Sequence, residues 1–189
     1  MNGKELEDCL NKDKLCKRYF LGIYTEDLIP EIPFKKLLIF NESSSKEALG
    51  SHWVLISTIR PNYIDYIDST GQDPYRLKHV AKVIKSYMSQ RKNCKLYRLP
   101  CLQAHWSSIC GAYCLTFSWF LARNQTPADI IKDFYLSNVS HFSLYINDIK
   151  TAWFAKTIFS LEQDTSELLY NLEFILEQKK IEESGGKNT

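Results

Sequence analysis

The chain has 189 residues, 44% of them hydrophobic, and a formal net charge of +2, enough apolar material for one domain with a proper core. Met1 to Arg18 alternates charged and polar groups and no stretch approaches a bilayer span, so neither a secretory leader nor a membrane anchor is expected. Six cysteines are too few in a chain this long for a disulfide scaffold; free thiols in a reducing compartment are expected.

Met1 to Arg18 predicts a short amphipathic helix with Leu6, Cys9, Leu10 and Leu15 on one side. An aromatic extended piece, Tyr19 to Tyr24, follows, and then Pro30 and Pro33 forbid regular structure. Leu37 to Phe40 is a short strand, and Asn41 to Gly50, rich in Ser and Glu, is a loop. The β-branched run Ser51 to Ile59 predicts a strand, Arg60-Pro61-Asn62 a turn, and Tyr63 to Asp68 the partner strand. Asp73-Pro74 caps a helix to about Ser89, with Leu77, Val80, Ala81, Ile84 and Met88 at helical spacing, and Lys95 to Pro100 is a further strand. Cys110 to Ala122 is apolar on nearly all sides and predicts a buried helix. Thr126-Pro127-Ala128-Asp129 opens a short helix through Tyr135. Helix is expected again from Asn147 to about Ser160 and from about Asp164 to Lys180. Residues 1–181 thus read as a single domain, and 182–189, with Ser184-Gly185-Gly186, as a disordered tail.

Charge is unevenly spread. Pro74 to Ala128 holds nine Lys and Arg and no acid, leaving fifteen Lys and Arg against twenty-two acids elsewhere. Such asymmetry fits an anionic partner, and a solvated basic helix face is the plainer reading.

The chemistry concentrates between Gln103 and Cys114. A Cys-Gly opening an apolar run puts the Cys110 thiol at the first turn of a buried helix, where the dipole and free N–H groups favour the thiolate. A thiol needs a base, and His52 stands at the start of a strand beside Trp53. It precedes the turn at residues 60–62 by about as many positions as Asp68 follows it, so antiparallel pairing makes the two neighbours at one edge of the sheet. An aspartate fixes the imidazole tautomer, the imidazole activates the thiol, and the Gln103 amide suits an oxyanion. Asp65 is the alternative third member and His105 the alternative base, though its place between Gln103 and Cys110 suits the substrate cleft better. Trp53 either packs against the site and restricts water or belongs to the core, and Cys114, one turn after Cys110, packs in the core. A zinc site drawn from Cys94, Cys101, His105, Cys110 and Cys114 has poor spacing and no Cys-x-x-Cys pair, so no metal is expected.

With His52-Trp53, Asp68 after a strand, Gln103 and Cys110-Gly111 in this order, the chain resembles the adenain family of adenovirus-type cysteine endopeptidases. Relatives occur in virophages and Polinton-type elements, and the wider clan includes the SUMO proteases. Tyr19-Phe20-Leu21-Gly22-Ile23-Tyr24 is similar to the adenain Tyr-Phe-Leu-Gly-x-Tyr segment, and Gly50-Ser51-His52-Trp53 to its Gly-x-His-Trp. The seven-residue step from Gln103 to Cys110 also matches; SUMO proteases use a shorter step with an Asp before the Cys, where this chain has Ile109. Tyr66-Ile67-Asp68-Ser69-Thr70-Gly71 looks closer to the SUMO-protease version.

The resemblance implies an α+β fold: a papain-like cysteine-protease core with His-Asp-Gln-Cys order and a mixed sheet packed between helices. It implies a thiol endopeptidase that cleaves viral capsid and structural precursors during virion maturation, in the virion and the infected cell (nucleus or virus factory). Cys110, His52 and Asp68 would be catalytic and Gln103 would line the oxyanion hole. No cofactor is required. A peptide activator linked through a cysteine, with Cys94 two residues from the matching position, and stimulation by DNA along residues 74–128 are further implications. A monomer without membrane association is expected. Two other readings stand beside this one: a SUMO or ubiquitin-like-modifier isopeptidase, and a catalytically idle nucleic-acid-binding module.

Overall fold

Five short runs form one mixed sheet in the computed structural model, which describes residues 1–43, 52–136 and 140–161. They are β1 (Phe20–Thr25), β2 (Leu37–Asn41), β3 (Trp53–Ser57), β4 (Tyr63–Ile67) and β5 (Lys95–Arg98), adjacent in that order. The outer pairs β1–β2 and β4–β5 are parallel and the inner pairs antiparallel. The central strands are covered on both faces, which is why β2, β3 and β4 read as nearly continuous apolar runs. Their side chains alternate between two cores. Leu37, Ile39, Leu55 and Ile67 join one, and Leu38, Phe40, Val54, Ile56, Ile64 and Tyr66 the other.

The larger core packs α1 (Gly3–Lys12), α2 (Lys14–Tyr19), α4 (Cys110–Leu121), α5 (Pro127–Phe134) and α6 (His141–Phe159) against the sheet; the smaller is closed by α3 (Lys78–Ser89). The α4 helix runs through the middle, buried from Cys110 to Ser118. This is the expected α+β arrangement, with a mixed sheet between helices.

Several expectations are corrected. The amino-terminal helix is two helices, because Asp13 is extended (φ −81°, ψ 120°) and its carboxylate accepts from the N–H groups of Leu15 and Cys16 at 3.0 and 2.9 Å. The break rotates the second helix, so Cys16 turns inward and Leu15 is exposed. In α3 the buried stripe is Val80, Val83, Ile84 and Tyr87, with Ala81 and Met88 only half-buried. The α6 helix starts six residues before Asn147, since Ser140 caps it by accepting from Ser143 N–H at 3.1 Å. Ser143 replaces the Glu or Gln by which such a start is usually recognised. The helix expected after Asp164, the tail 182–189 and most of the loop before Ser51 lie outside the described residues. Among those described, no helix is long and apolar enough to cross a membrane.

The β3–β4 turn is pinned by an ion pair. Arg60 bonds the fully buried Asp65 carboxylate and lies over the Tyr63 ring, 4.2 Å from its centroid. Burial raises the Asp65 pKa and Arg60 opposes that rise. Arg60→Ala leaves an uncompensated buried carboxylate and should cost about 3–5 kcal/mol, measured by urea unfolding at neutral pH.

Candidate active site

The β3–β4 register pairs Leu55 with Ile67 and Ser57 with Asp65, so residues just before β3 and just after β4 meet at one end of the hairpin. There His52 Nε2 lies 2.9 Å from Asp68 Oδ1. The pair sits at the end of two central strands rather than at the sheet's lateral edge, because β2 and β5 flank them. Asp65 is at the opposite end of the hairpin on Arg60, so the structure brings Asp68, not Asp65, to His52.

Cys110 opens α4 and is 6% exposed. Its Sγ accepts from the Trp53 backbone N–H at 3.3 Å, tying the thiol to the residue after His52. Burial opposes charge on His52, but hydrogen bonds and charge from Asp68 and Cys110 outweigh it and push the imidazole up to about 10. With Nε2 on the Asp68 carboxylate, which only accepts, Nδ1 is the nitrogen left for the sulfur.

Asp68 is itself buried, and burial raises its pKa, but His52 and Thr70 hold it below the usual value. Thr70 donates to Oδ1 from its backbone N–H at 2.9 Å and from Oγ1 at 2.6 Å. Among the described residues Oδ2 has no hydrogen-bond partner; the Arg76 guanidinium, bonded to Glu42, is 3.9 Å away.

Gln103 is buried and its amide is oriented unambiguously. Ser69 Oγ donates to Oε1 at 2.6 Å, which directs Nε2 to the Ser107 carbonyl at 2.6 Å, in the loop leading to Cys110. Ser69 O also accepts from Leu102 and Gln103 N–H, each at 2.9 Å. The turn after Asp68 therefore positions the Gln103 loop as well as the carboxylate.

His105 and Trp106 are exposed on that loop with rings 4.4 Å apart. Trp53 is half-buried and its indole N–H donates to Met1 O at 3.1 Å, so the start of α1 packs over the site. Cys94 precedes β5, whose Lys95 pairs with Tyr63, at the end of the sheet away from Asp68. All six cysteines are free thiols, and Cys114 is in the core.

Among the described residues, the group with metal-ligating potential is Glu42, His52 and Asp68, with ligand atoms within 4.8 Å of one another. It shares no member with the cysteine set weighed from the sequence. Arg76 lies between Glu42 and Asp68 Oδ2 and supplies the positive charge that a metal would bring.

Sequence reasoning missed Ser69, Thr70, Glu42, Arg76 and Asp148. The run Asp68-Ser69-Thr70 was a readable signal, since Ser and Thr after an Asp commonly close an Asx-type turn. Asp148 is wholly buried on α6, and its partners Ala104 and Tyr113 are far from it in sequence.

No family model matches the chain, and no curated protein matches it. Among solved structures it is similar to ChlaDub1 from Chlamydia trachomatis, with a TM-score of 0.51 and 14% identity, covering 86% of this chain and 93% of that one. It is also similar to the central domain of the uncharacterised Lpg1148 protein from Legionella pneumophila, with a TM-score of 0.41 and 11% identity, covering 84% of this chain and 98% of that one. The first likeness places the chain in a ChlaDub1-like α+β fold.

Proposed function

We propose that this chain is a cysteine peptidase in which Cys110 attacks a carbonyl carbon. The observation that carries the reading is His52, bonded to Asp68 and drawn to Cys110, with its pKa raised to about 10. At neutral pH the imidazole then carries its proton before substrate arrives, and the Cys110 sulfur beside it is the nucleophile. His52 delivers that proton to the leaving amine as the thioester forms, and takes one from water in the second half of the reaction. Asp68 holds the ring, and the second Gln103 Nε2 proton with the Cys110 backbone N–H faces the developing oxyanion.

The substrates we assign are the extended carboxy-terminal tails of ubiquitin-like modifiers. The Dub in the name of ChlaDub1 denotes a deubiquitinase, and the fold likeness favours this class. A second reading, cleavage of viral structural precursors, is favoured by the Tyr19 to Tyr24 segment and the seven-residue step from Gln103 to Cys110. Stimulation by DNA would belong to that reading, through Lys78, Lys82 and Lys85 on the exposed side of α3. One assay separates the two: SUMO and ubiquitin carboxy-terminal fluorogenic conjugates beside unfolded capsid-precursor junctions, with and without DNA. The modifier reading expects kcat/KM at least ~100-fold higher on a conjugate, and a reversed preference would overturn it.

A further inference from the structure

Asp148, on α6, holds the loop that carries Gln103 and has no part in the mechanism above. Its carboxyl is wholly buried. Oδ2 accepts from the Ala104 N–H at 3.3 Å, and Oδ1 lies 2.9 Å from the Tyr113 hydroxyl oxygen. The same Tyr113 hydroxyl lies 2.8 Å from the Leu102 carbonyl oxygen. A phenol has one proton and a carbonyl only accepts. If Asp148 is ionised, Tyr113 donates to one of the two and faces the other lone pair to lone pair. Both contacts become full hydrogen bonds when Asp148 carries a proton: Oδ1–H donates to Tyr113, and Tyr113 donates to Leu102 O.

We propose that Asp148 is a positioning residue that works as a neutral carboxylic acid, closing a hydrogen-bonded chain through Tyr113 to Leu102 and directly to Ala104. The chain clamps the residues on both sides of Gln103. This role for Gln103 rests on the peptidase reading; the proton count does not. The surroundings agree, since burial pushes Asp148 up to about 7 against hydrogen bonds that favour its charge. The titratable groups facing it are Tyr113 on α4, Tyr135 after α5 and Cys101 after β5, all raised mainly by burial, and so uncharged at neutral pH. The Ser107 hydroxyl also faces it without hydrogen-bond geometry, and no cation does among the described residues.

The sign follows from the two pKa values. An unfolded aspartate titrates near ~3.9, so between about 4 and 7 the folded chain keeps a proton that the unfolded chain has lost. Stability from this group therefore falls as pH rises through that window and is level above it. Asparagine reproduces the neutral acid, accepting from Ala104 through its oxygen and donating to Tyr113 through its nitrogen, but cannot titrate.

The test is Asp148→Asn, with Asp148→Ala as the broken chain, melted from pH 5 to pH 8.5 and assayed for kcat/KM over the same range. The expected result is an Asp148→Asn melting temperature that gains on wild type up to about pH 7 and stays above it thereafter. Wild-type kcat/KM should fall through pH 7 where Asp148→Asn does not, and Asp148→Ala should be impaired throughout. An Asp148→Asn protein that melts below wild type at pH 8, or runs parallel at every pH, would overturn the neutral acid. Melting curves as expected with coincident kcat/KM profiles would overturn the positioning role alone. A chain with no peptidase activity would sink the function proposed above and leave the melting result standing.

Discussion

Replacing Cys110 by alanine will reduce peptide or isopeptide hydrolysis by about 10⁴- to 10⁶-fold while leaving the folded structure in place. The loss is large because the thioester cannot form, and neither Cys114 nor any other thiol can substitute. Cys114 lies a full turn further into the core, with burial raising its pKa well above that of an ordinary thiol. The fold survives because the sulfur does no more than accept from the Trp53 N–H and meet the His52 ring, and its removal opens a space of a single atom. Those losses amount to about 1–2 kcal/mol, well within the stability of a domain this size. Steady-state rates on a fluorogenic substrate, paired with a thermal melt, separate the two effects. A variant retaining more than a tenth of the wild-type rate would show that another nucleophile does the work.

Asp68→Asn will lower kcat/KM at neutral pH by about 10²- to 10⁴-fold and return the His52 pKa toward its ordinary value. The asparagine oxygen can still accept from the Thr70 N–H and hydroxyl, so the turn is retained. The negative charge that holds the imidazolium is not. His52 is raised to about 10, so the stability it contributes is fully present below its unfolded value of ~6.5 and is lost as pH rises through 10. In Asp68→Asn that window narrows from the alkaline side, and the wild-type advantage in melting temperature should shrink above pH 7 and vanish above 10. Titration of the His52 ring by NMR in both proteins measures the shift directly. An unchanged His52 titration would mean that Asp68 serves the turn and not the histidine.

Much of this site was legible because its chemistry rests on local rules. His52 and Asp68 could be paired by counting from one tight turn, and Cys110 stood out as a polarisable group opening an apolar helix. Gln103 was found by type and position, but what orients it was not. Ser69 and Ser107 grip its amide from thirty-four residues before it and four after it, and only the first of these is a long-range contact that periodicity cannot see. Asp148 was invisible for the same reason, since it meets Tyr113 and Ala104 across thirty-five and forty-four residues. Arg76 and Glu42 looked like surface charge, and their meaning comes from the strand ends that bring them behind Asp68. The helix break at Asp13 and the early start of α6 at Ser140 were misjudged because side-chain caps outweighed the apolar spacing on which the elements were drawn.

Cys110 is, on this mechanism, a nucleophile activated by His52 and Asp68. Its most direct measurement is the rate at which each of the six cysteines is alkylated by a small haloacetamide in the folded protein at pH 6, resolved by peptide mass spectrometry. At that pH an ordinary thiol is almost wholly protonated and reacts slowly. Cys110 should be labelled at least ~100-fold faster than half-buried Cys94 and Cys101, and His52→Ala should remove the difference. Equal labelling of Cys110, Cys94 and Cys101 in the wild-type chain would contradict it.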